Sequence, residues 1–257
     1  FVRGNWGNAE RSSCMLLQKS CHDMDLLQWL LDKQLKKVQS FGTLSYFTEK
    51  NAPAGAPDYC IQGCPIENTC PYNAKLLYLG EHEYSSWFRS AASRCPEPTD
   101  ADLEEAIANT QYGKCVYKCD NDVVDHQTVN MLFEDDITVT FTMNAFTKGG
   151  RFVHIMGTKG EIHAALDGGS PIRVYDFESK TTEEIDSDGI DGISGGHGGG
   201  DEGIVSAFYD YVCDCYEGDS IPSIRQAAIN HIMVFAAEKS REENIVVNFD
   251  DYLKNFK

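Results

Sequence analysis

The part of the sequence that most constrains the fold is the region from residue 115 to residue 186. It consists of short strand-like segments, separated by short turns, in which apolar and polar residues tend to alternate. In residues 137–146, Ile137, Val139 and Phe141 alternate with threonines, the period-two pattern of a strand with one buried face. Asp135 and Asp136 form a two-residue turn after a strand at 123–134. Further strands are predicted at 115–119, at 151–166 (two strands, around residues 157–160), at 171–178 and at 181–186. Strands joined by such short turns favour an antiparallel sheet.

Helices are predicted on both sides of this region. In residues 19–33, Ser20 is an N-cap candidate, the helix is expected to begin near Cys21, and Met24, Leu27 and Leu31 recur on one apolar face. A strand follows at 35–48, residues 75–112 are irregularly helical, and two amphipathic helices follow residue 200. These elements predict an α+β fold with an open, mainly antiparallel sheet and helices packed on one face. We interpret residues 1–257 as a single domain with a cysteine-rich, insertion-like segment at about 51–114.

Composition excludes two classes of partner. The formal net charge is −18 and the pI is near 4.7, so most of the surface repels nucleic acid and anionic membranes. No apolar run of 18 residues is present, which excludes a transmembrane helix. The first residues show no secretion signal, so a soluble, cytoplasmic protein is expected, and its ten cysteines are expected to be reduced or metal-bound.

A cluster of cysteines is a candidate metal site. Cys60, Cys64 and Cys70 fall within eleven residues, a density that suits thiolate ligation of a structural zinc ion. The candidates for a fourth ligand are Cys95, Cys115, Cys119 and His82. Buried free thiols and a disulfide are the alternatives.

His22 is the strongest candidate for a catalytic group. In the predicted first helical turn, the positive end of the helix dipole would keep its ring neutral and basic. With Lys19 nearby, it could take a hydroxyl proton and stabilise the alkoxide that results. A surface histidine on a capped helix is the structural alternative. Asp125 and His126 are predicted to lie on opposite faces of one strand, which would prevent them from acting as a pair.

A glycine-rich segment at 195–203 contains a G-x-G-x-x-G spacing at Gly198, Gly200 and Gly203. An apolar strand should precede a dinucleotide-binding fingerprint, whereas here the preceding residues are acidic. We interpret this segment as a mobile loop that carries His197, followed by a helix capped by Asp201.

Several motifs together resemble a known family. They are FVRGNW, KSCHDMDLLQWL, NAPAGAPDYC with GCPIENTCPYNA, CDNDVVDHQTVNM, GTKGEI, GGHGGGD and AAEKSREEN. In this combination and order, the chain resembles the C-terminal domain of the Gfo/Idh/MocA (glucose-fructose oxidoreductase and inositol dehydrogenase) family. The resemblance implies an open antiparallel sheet with helices on one face, the other face often forming an oligomer contact, and NAD(P)-linked oxidation or reduction of sugars, cyclitols or their derivatives. His22 matches the family's helix-start histidine, which assists proton transfer. Gln18 stands where the family often has aspartate, and Lys19 follows it.

The resemblance also implies an N-terminal Rossmann domain, which this sequence does not supply. We therefore expect a fragment whose parent protein binds NAD or NADP, and which is inactive alone because hydride transfer needs the nicotinamide beside the substrate. In the parent, His22 and Lys19 are the expected catalytic residues. Arg3, Asn5 and His197 are the expected contacts to a carbohydrate-like substrate, and a homo-oligomer through the sheet face is expected. Two alternatives are a non-catalytic sugar-binding or assembly module and an NAD-dependent glycosidase of the same fold.

Overall fold

The computed structural model describes residues 1–82, 85–166, 170–186, 200–216 and 223–256. The chain divides into two compact units, the first comprising Phe1–Phe146 with Ile224–Lys257 and the second Thr147–Ser223. Each unit contains its own four-stranded antiparallel sheet. None of the described helices combines the length and the apolar character needed to cross a bilayer.

Within the described residues there are seven α-helices and eight strands. The helices are α1 (Met15–Leu31), α2 (Ala74–Tyr78), α3 (Ser85–Ser93), α4 (Asp100–Asn109), α5 (Gly200–Val212), α6 (Ile224–Glu243) and α7 (Phe249–Leu253). The strands are β1 (Leu35–Thr43), β2 (His126–Phe133), β3 (Thr138–Asn144), β4 (Phe152–Met156), β5 (Gly160–Ala165), β6 (Ile172–Asp176), β7 (Thr182–Ile185) and β8 (Val247–Asn248).

The sheet of the first unit has the strand order β3-β2-β1-β8. Alternate residues of β2 are buried, among them Val129, Met131 and Phe133, because successive side chains of a strand point to opposite faces. These residues share one core with α1 and α6, which contribute Met24 and Met233. Burying each such side chain contributes about 1.5–3 kcal/mol. The predicted class, an open α+β fold with antiparallel sheets, is confirmed.

Helix α1 begins at Met15, so the predicted start near Cys21 was wrong. The apolar residues Met15 and Leu16 are buried, and their burial continues the helical apolar face toward the N-terminus. Ser20 is not an N-cap; it lies inside the helix, with its hydroxyl 3.6 Å from the sulfur of Met143. The predicted core face is confirmed, since Met24 is buried and Leu27 and Leu31 pack against the core.

The strand predicted at 115–119 was also wrong. Here the chain turns, with the Cys115 amide donating to the Asp58 carbonyl oxygen and the Lys118 amide donating to the Cys115 carbonyl oxygen. These bonds tie the segment to the cysteine-rich region, where α2, α3 and α4 enclose a small core of their own. A local capping box between Thr99 and Asp102 begins α4.

The second unit contains a sheet with the order β4-β5-β6-β7, and the short turns predicted from the sequence connect β4 to β5 and β6 to β7. The Gly157 amide donates to the Gly160 carbonyl oxygen across 2.9 Å. Position 160 requires glycine, because a Cβ there would lie 2.2 Å from the carbonyl oxygen of Tyr175. Helix α5 begins at Gly200, so Asp201 lies in its first turn and does not cap it.

Candidate functional site

Lys19 and His22 lie on one exposed face of α1, three residues apart, which places their side chains beside each other. The Lys19 ammonium nitrogen is 4.4 Å from the centroid of the Trp6 ring and 5.9 Å from that of Phe1. These cation–π contacts bring the N-terminal segment against the helix face. The result is a surface on which the Lys19 ammonium contacts the Trp6 indole, with the exposed His22 three residues further along the helix.

The earlier helix start changes the electrostatics of His22. This residue is seven positions after Met15, in the interior of the helix. The effect of the helix dipole falls off within the first turn, so the expected support for a neutral ring from the dipole was wrong. The case for His22 as a base now depends on its exposure and on its position beside Lys19.

Arg3 is buried, at 5% exposure, and its guanidinium serves the fold. Its Nε donates to the carbonyl oxygen of Lys114 and its Nη2 to that of Tyr72, both across 2.6 Å. These bonds hold residues 1–8 against the cysteine-rich region. A substrate contact by Arg3 stays a prediction.

Asn5 is exposed, and its side-chain oxygen accepts a hydrogen bond from Gln111 at 3.2 Å. Trp6, the next residue, contacts Lys19, so Asn5 lies on the segment that borders the Lys19–His22 face. His197 lies outside the described residues. The structure thus brings together Lys19, His22 and the segment of Asn5, and the substrate contacts expected for Asn5 and His197 stay predictions.

Sequence reasoning missed a carboxylate–imidazole pair. Asp125 Oδ1 lies 2.8 Å from Nδ1 of His126, so the prediction that they cannot act as a pair was wrong. The reason is that β2 begins at His126, so Asp125 lies before the strand, where side chains need not alternate between the two faces of the sheet.

Asp125 is buried, and its carboxylate holds the loop after β1 in place. It accepts hydrogen bonds from the amides of Ser45 and Tyr46, at 2.9 and 2.7 Å, and from the Ser45 hydroxyl. Burial by itself raises the pKa of Asp125, but these bonds and the bond to His126 together lower it below its ordinary value. Asp125 is therefore an ionised anchor that also fixes the orientation of the His126 ring.

The cysteines do not form the predicted zinc site. Within the described part of the chain, only His154, Glu161 and His163 converge as three potential metal ligands, so the zinc assignment to Cys60, Cys64 and Cys70 is not supported. All ten cysteines are free thiols. Cys60 accepts a hydrogen bond from Arg3 at 3.5 Å and borders a cavity of about 20 Å³, which has room for a single water molecule. The buried-thiol alternative fits this environment.

The glycine spacing likewise does not form a nucleotide site among the described residues. Gly198 lies outside them, while Gly200 and Gly203 belong to α5. Every strand pair in the described sheets is antiparallel, whereas a Rossmann fold needs parallel strands joined by a helix. The described residues therefore do not fit a dinucleotide.

Comparison with known proteins decides the family. Residues 1–249 match the model of the Gfo/Idh/MocA "Oxidoreductase family, C-terminal alpha/beta domain". The chain belongs to this family.

The relatives of this Gfo/Idh/MocA domain are longer proteins. It is 25% identical over 213 residues to "Putative oxidoreductase YteT" of Bacillus subtilis (strain 168), covering 76% of this chain and 46% of YteT. The domain thus spans about half the length of this curated relative.

Two solved structures share the fold of this Gfo/Idh/MocA domain. One is described as a "putative nadph-dependent oxidoreductase" from Desulfitobacterium hafniense, with a TM-score of 0.55 at 15% identity over 97% of this chain and 53% of that one. The other is the transcriptional regulator Gal80p from Kluyveromyces lactis, with a TM-score of 0.57 at 13% identity over 97% of this chain and 49% of that one. Because one of these proteins is described as a putative oxidoreductase and the other as a transcriptional regulator, the shared fold does not decide the function, which must be argued from the site.

Proposed function

We propose that this chain is the substrate-binding and proton-transferring domain of an NAD(P)-dependent oxidoreductase that acts on a sugar, a cyclitol or a derivative. The observation that carries the proposal is the match to the oxidoreductase-family domain over residues 1–249. The nicotinamide would be held by residues outside this chain. Assembly into a homo-oligomer through a sheet face stays a prediction.

The Lys19–His22 face carries the two groups that oxidation of an alcohol substrate requires, a proton acceptor and a positive charge. The substrate hydroxyl must lose a proton as its carbon is oxidised, and an exposed imidazole such as His22 can accept that proton. The ammonium group of Lys19, three residues earlier, can stabilise the negative charge that develops on the oxygen. In the reductive direction the same two groups return the proton and polarise the carbonyl.

The N-terminal segment, residues 1–8, lies at the edge of this face. Trp6 is 39% exposed and contacts the Lys19 ammonium, while buried Arg3 fixes the backbone of the segment. The aromatic contact restricts the Lys19 side chain before substrate binds, which lowers the entropic cost of placing its charge. In this proposal Arg3 is a positioning residue for Asn5 and Trp6.

The experiment uses the complete protein encoded by the natural gene. Reduction of NAD and NADP is followed by absorbance with a panel of sugars and cyclitols, and His22→Ala is compared with the intact protein. We expect His22→Ala to lower kcat by roughly 10²–10⁴-fold, as for loss of a general base. The control is His231→Ala on α6, another exposed histidine, whose Nδ1 lies 2.7 Å from the Ala227 carbonyl oxygen; it should keep full activity.

Two outcomes would contradict the proposal. Unchanged turnover in the His22→Ala variant would remove His22 from the mechanism. Sugar binding with no turnover on any alcohol would favour a non-catalytic module, whereas glycoside cleavage without net NADH would favour a glycosidase.

A further inference from the structure

The sheet of the second unit carries a group of imidazole and carboxylate side chains that has no place in the proposed reaction. His154 on β4 lies directly opposite His163 on β5, and Met156 lies opposite Glu161. Because side chains alternate along a strand, Glu161 and His163 point to the same face as His154. We propose that His154, Glu161 and His163 form a binding site for a divalent transition-metal ion.

The distances suit an ion held by one atom of each residue. Glu161 Oε2 lies 3.1 Å from Nε2 of His154 and 3.8 Å from Nε2 of His163. Two ligands about 2.0–2.1 Å from a tetrahedral ion lie about 3.3 Å apart, so both separations are within about 0.5 Å of the required value. The two imidazole rings are stacked with their centroids 3.8 Å apart.

The three groups can all act as ligands of one ion, since a metal ion accepts lone pairs from both neutral rings and from the carboxylate together. Among the described residues, no other three histidine, cysteine, aspartate or glutamate side chains bring their ligand atoms within 4.8 Å of one another.

The surroundings allow an ion to enter. The side chains of His154, His163 and Glu161 are 40%, 52% and 36% exposed, so no conformational opening is needed and the remaining coordination positions face water. Arg173 on β6 is the register partner of His163, but its Nε donates to Glu184 at 3.0 Å, which balances its charge.

The ligand set also selects the class of ion. Two imidazole nitrogens and one carboxylate oxygen suit first-row ions of the cobalt to copper series. Mg²⁺ and Ca²⁺ prefer all-oxygen sites and should not compete. A bound ion would link β4 to β5 and stabilise the second unit by mass action.

The test is a titration of the untagged, metal-stripped and reduced chain with Co²⁺, followed by visible absorption and by calorimetry. We expect one ion per chain with a spectrum of nitrogen and oxygen ligation. His154→Ala and His163→Ala should each weaken binding at least about tenfold, since even the loss of an outer-shell partner commonly costs 10–100-fold. Glu161→Gln, which keeps the side-chain shape, should also weaken it. Mg²⁺ should give no binding signal, and His231→Ala is the matched control that should bind as the intact chain does.

Circular dichroism of each variant confirms folding, which these exposed positions should not disturb. Unchanged Co²⁺ affinity in both histidine variants would overturn the site. A thiolate-to-cobalt charge-transfer band that survives both substitutions would also overturn it, because binding would then belong to the cysteines.

Discussion

Nδ1 of His126 lies 2.8 Å from Oδ1 of Asp125, and the same buried carboxylate accepts hydrogen bonds from the backbone amides of Ser45 and Tyr46. The Asp125 amide in turn donates to the Thr43 carbonyl oxygen at 3.0 Å. One residue thereby ties the start of β2 to the chain just after β1. Its removal would leave the backbone amides of Ser45 and Tyr46 without their charged acceptor.

Asp125→Ala should therefore lower the free energy of unfolding by about 1.5–3 kcal/mol, as for the loss of hydrogen bonds to a charged group. Urea denaturation followed by circular dichroism measures the change. The control is Asp58→Ala, which removes an exposed carboxylate paired with Lys118 and should cost less than about 1 kcal/mol. Equal losses in the two variants would contradict the anchoring role of Asp125.

The same carboxylate should make stability depend on pH. Its pKa is lower in the folded chain than in the unfolded chain, where an aspartate titrates near 3.9. Its contribution is therefore fully present above about pH 4 and is lost as the pH falls through the folded pKa. Urea midpoints measured from pH 6 down to pH 3 should fall less steeply for Asp125→Asn than for the intact chain. Parallel curves would show that Asp125 does not carry this dependence.

Arg3 should contribute more to stability than an arginine in a surface ion pair. Arg3→Lys keeps the positive charge but cannot donate to the carbonyl oxygens of both Lys114 and Tyr72 in the same geometry. We expect a loss of about 1.5–3 kcal/mol, as for a buried hydrogen bond to a charged group. Arg11→Lys, at an exposed pair with Asp120, should cost less than Arg3→Lys in the same urea assay. The reverse order would refute the buried role of Arg3.

Lys19→Gln tests the charge of the candidate site in the complete protein. Without the ammonium group, the developing negative charge on the substrate oxygen loses a stabilising partner, and kcat should fall roughly 10²-fold. Steady-state kinetics in both reaction directions measure this. Lys239→Gln on α6, an exposed lysine paired with Glu243, is the control and should leave kcat unchanged. A Lys19→Gln variant with normal kcat and a raised KM would limit Lys19 to substrate binding.

Much of the fold could be predicted from periodicity. The alternation of Ile137, Val139 and Phe141 with threonines predicted β3, and the paired aspartates at 135 and 136, which adopt φ angles of 56° and 59°, predicted the turn before it. Boundaries were less predictable. No local signal in residues 14–17 distinguished a loop from a helical turn. These residues join the helix because Met15 and Leu16 are buried against the rest of the core.

The candidate site could be predicted only in part. The sequence identified His22 and Lys19, and their spacing of three residues on a helix determines that they are neighbours. A substrate contact by Arg3 stays a prediction, but no local signal showed that the fold buries its guanidinium against carbonyl groups of residues 72 and 114. The sequence also grouped three cysteines as a zinc site because they are close in the chain, although their sulfur atoms do not converge.

By itself, the sequence determined the α+β class, the antiparallel strands and the apolar faces of the helices, because these depend on side-chain periods within a few residues. Only the tertiary structure decided the partners of Arg3, the anchoring of Ser45 by Asp125, and the meeting of His154 with His163 and Glu161. These contacts depend on strand register and on packing between segments as many as 111 positions apart. Periodicity within a few residues cannot predict contacts between segments so far apart in sequence, because these contacts are determined by the packing of the whole core.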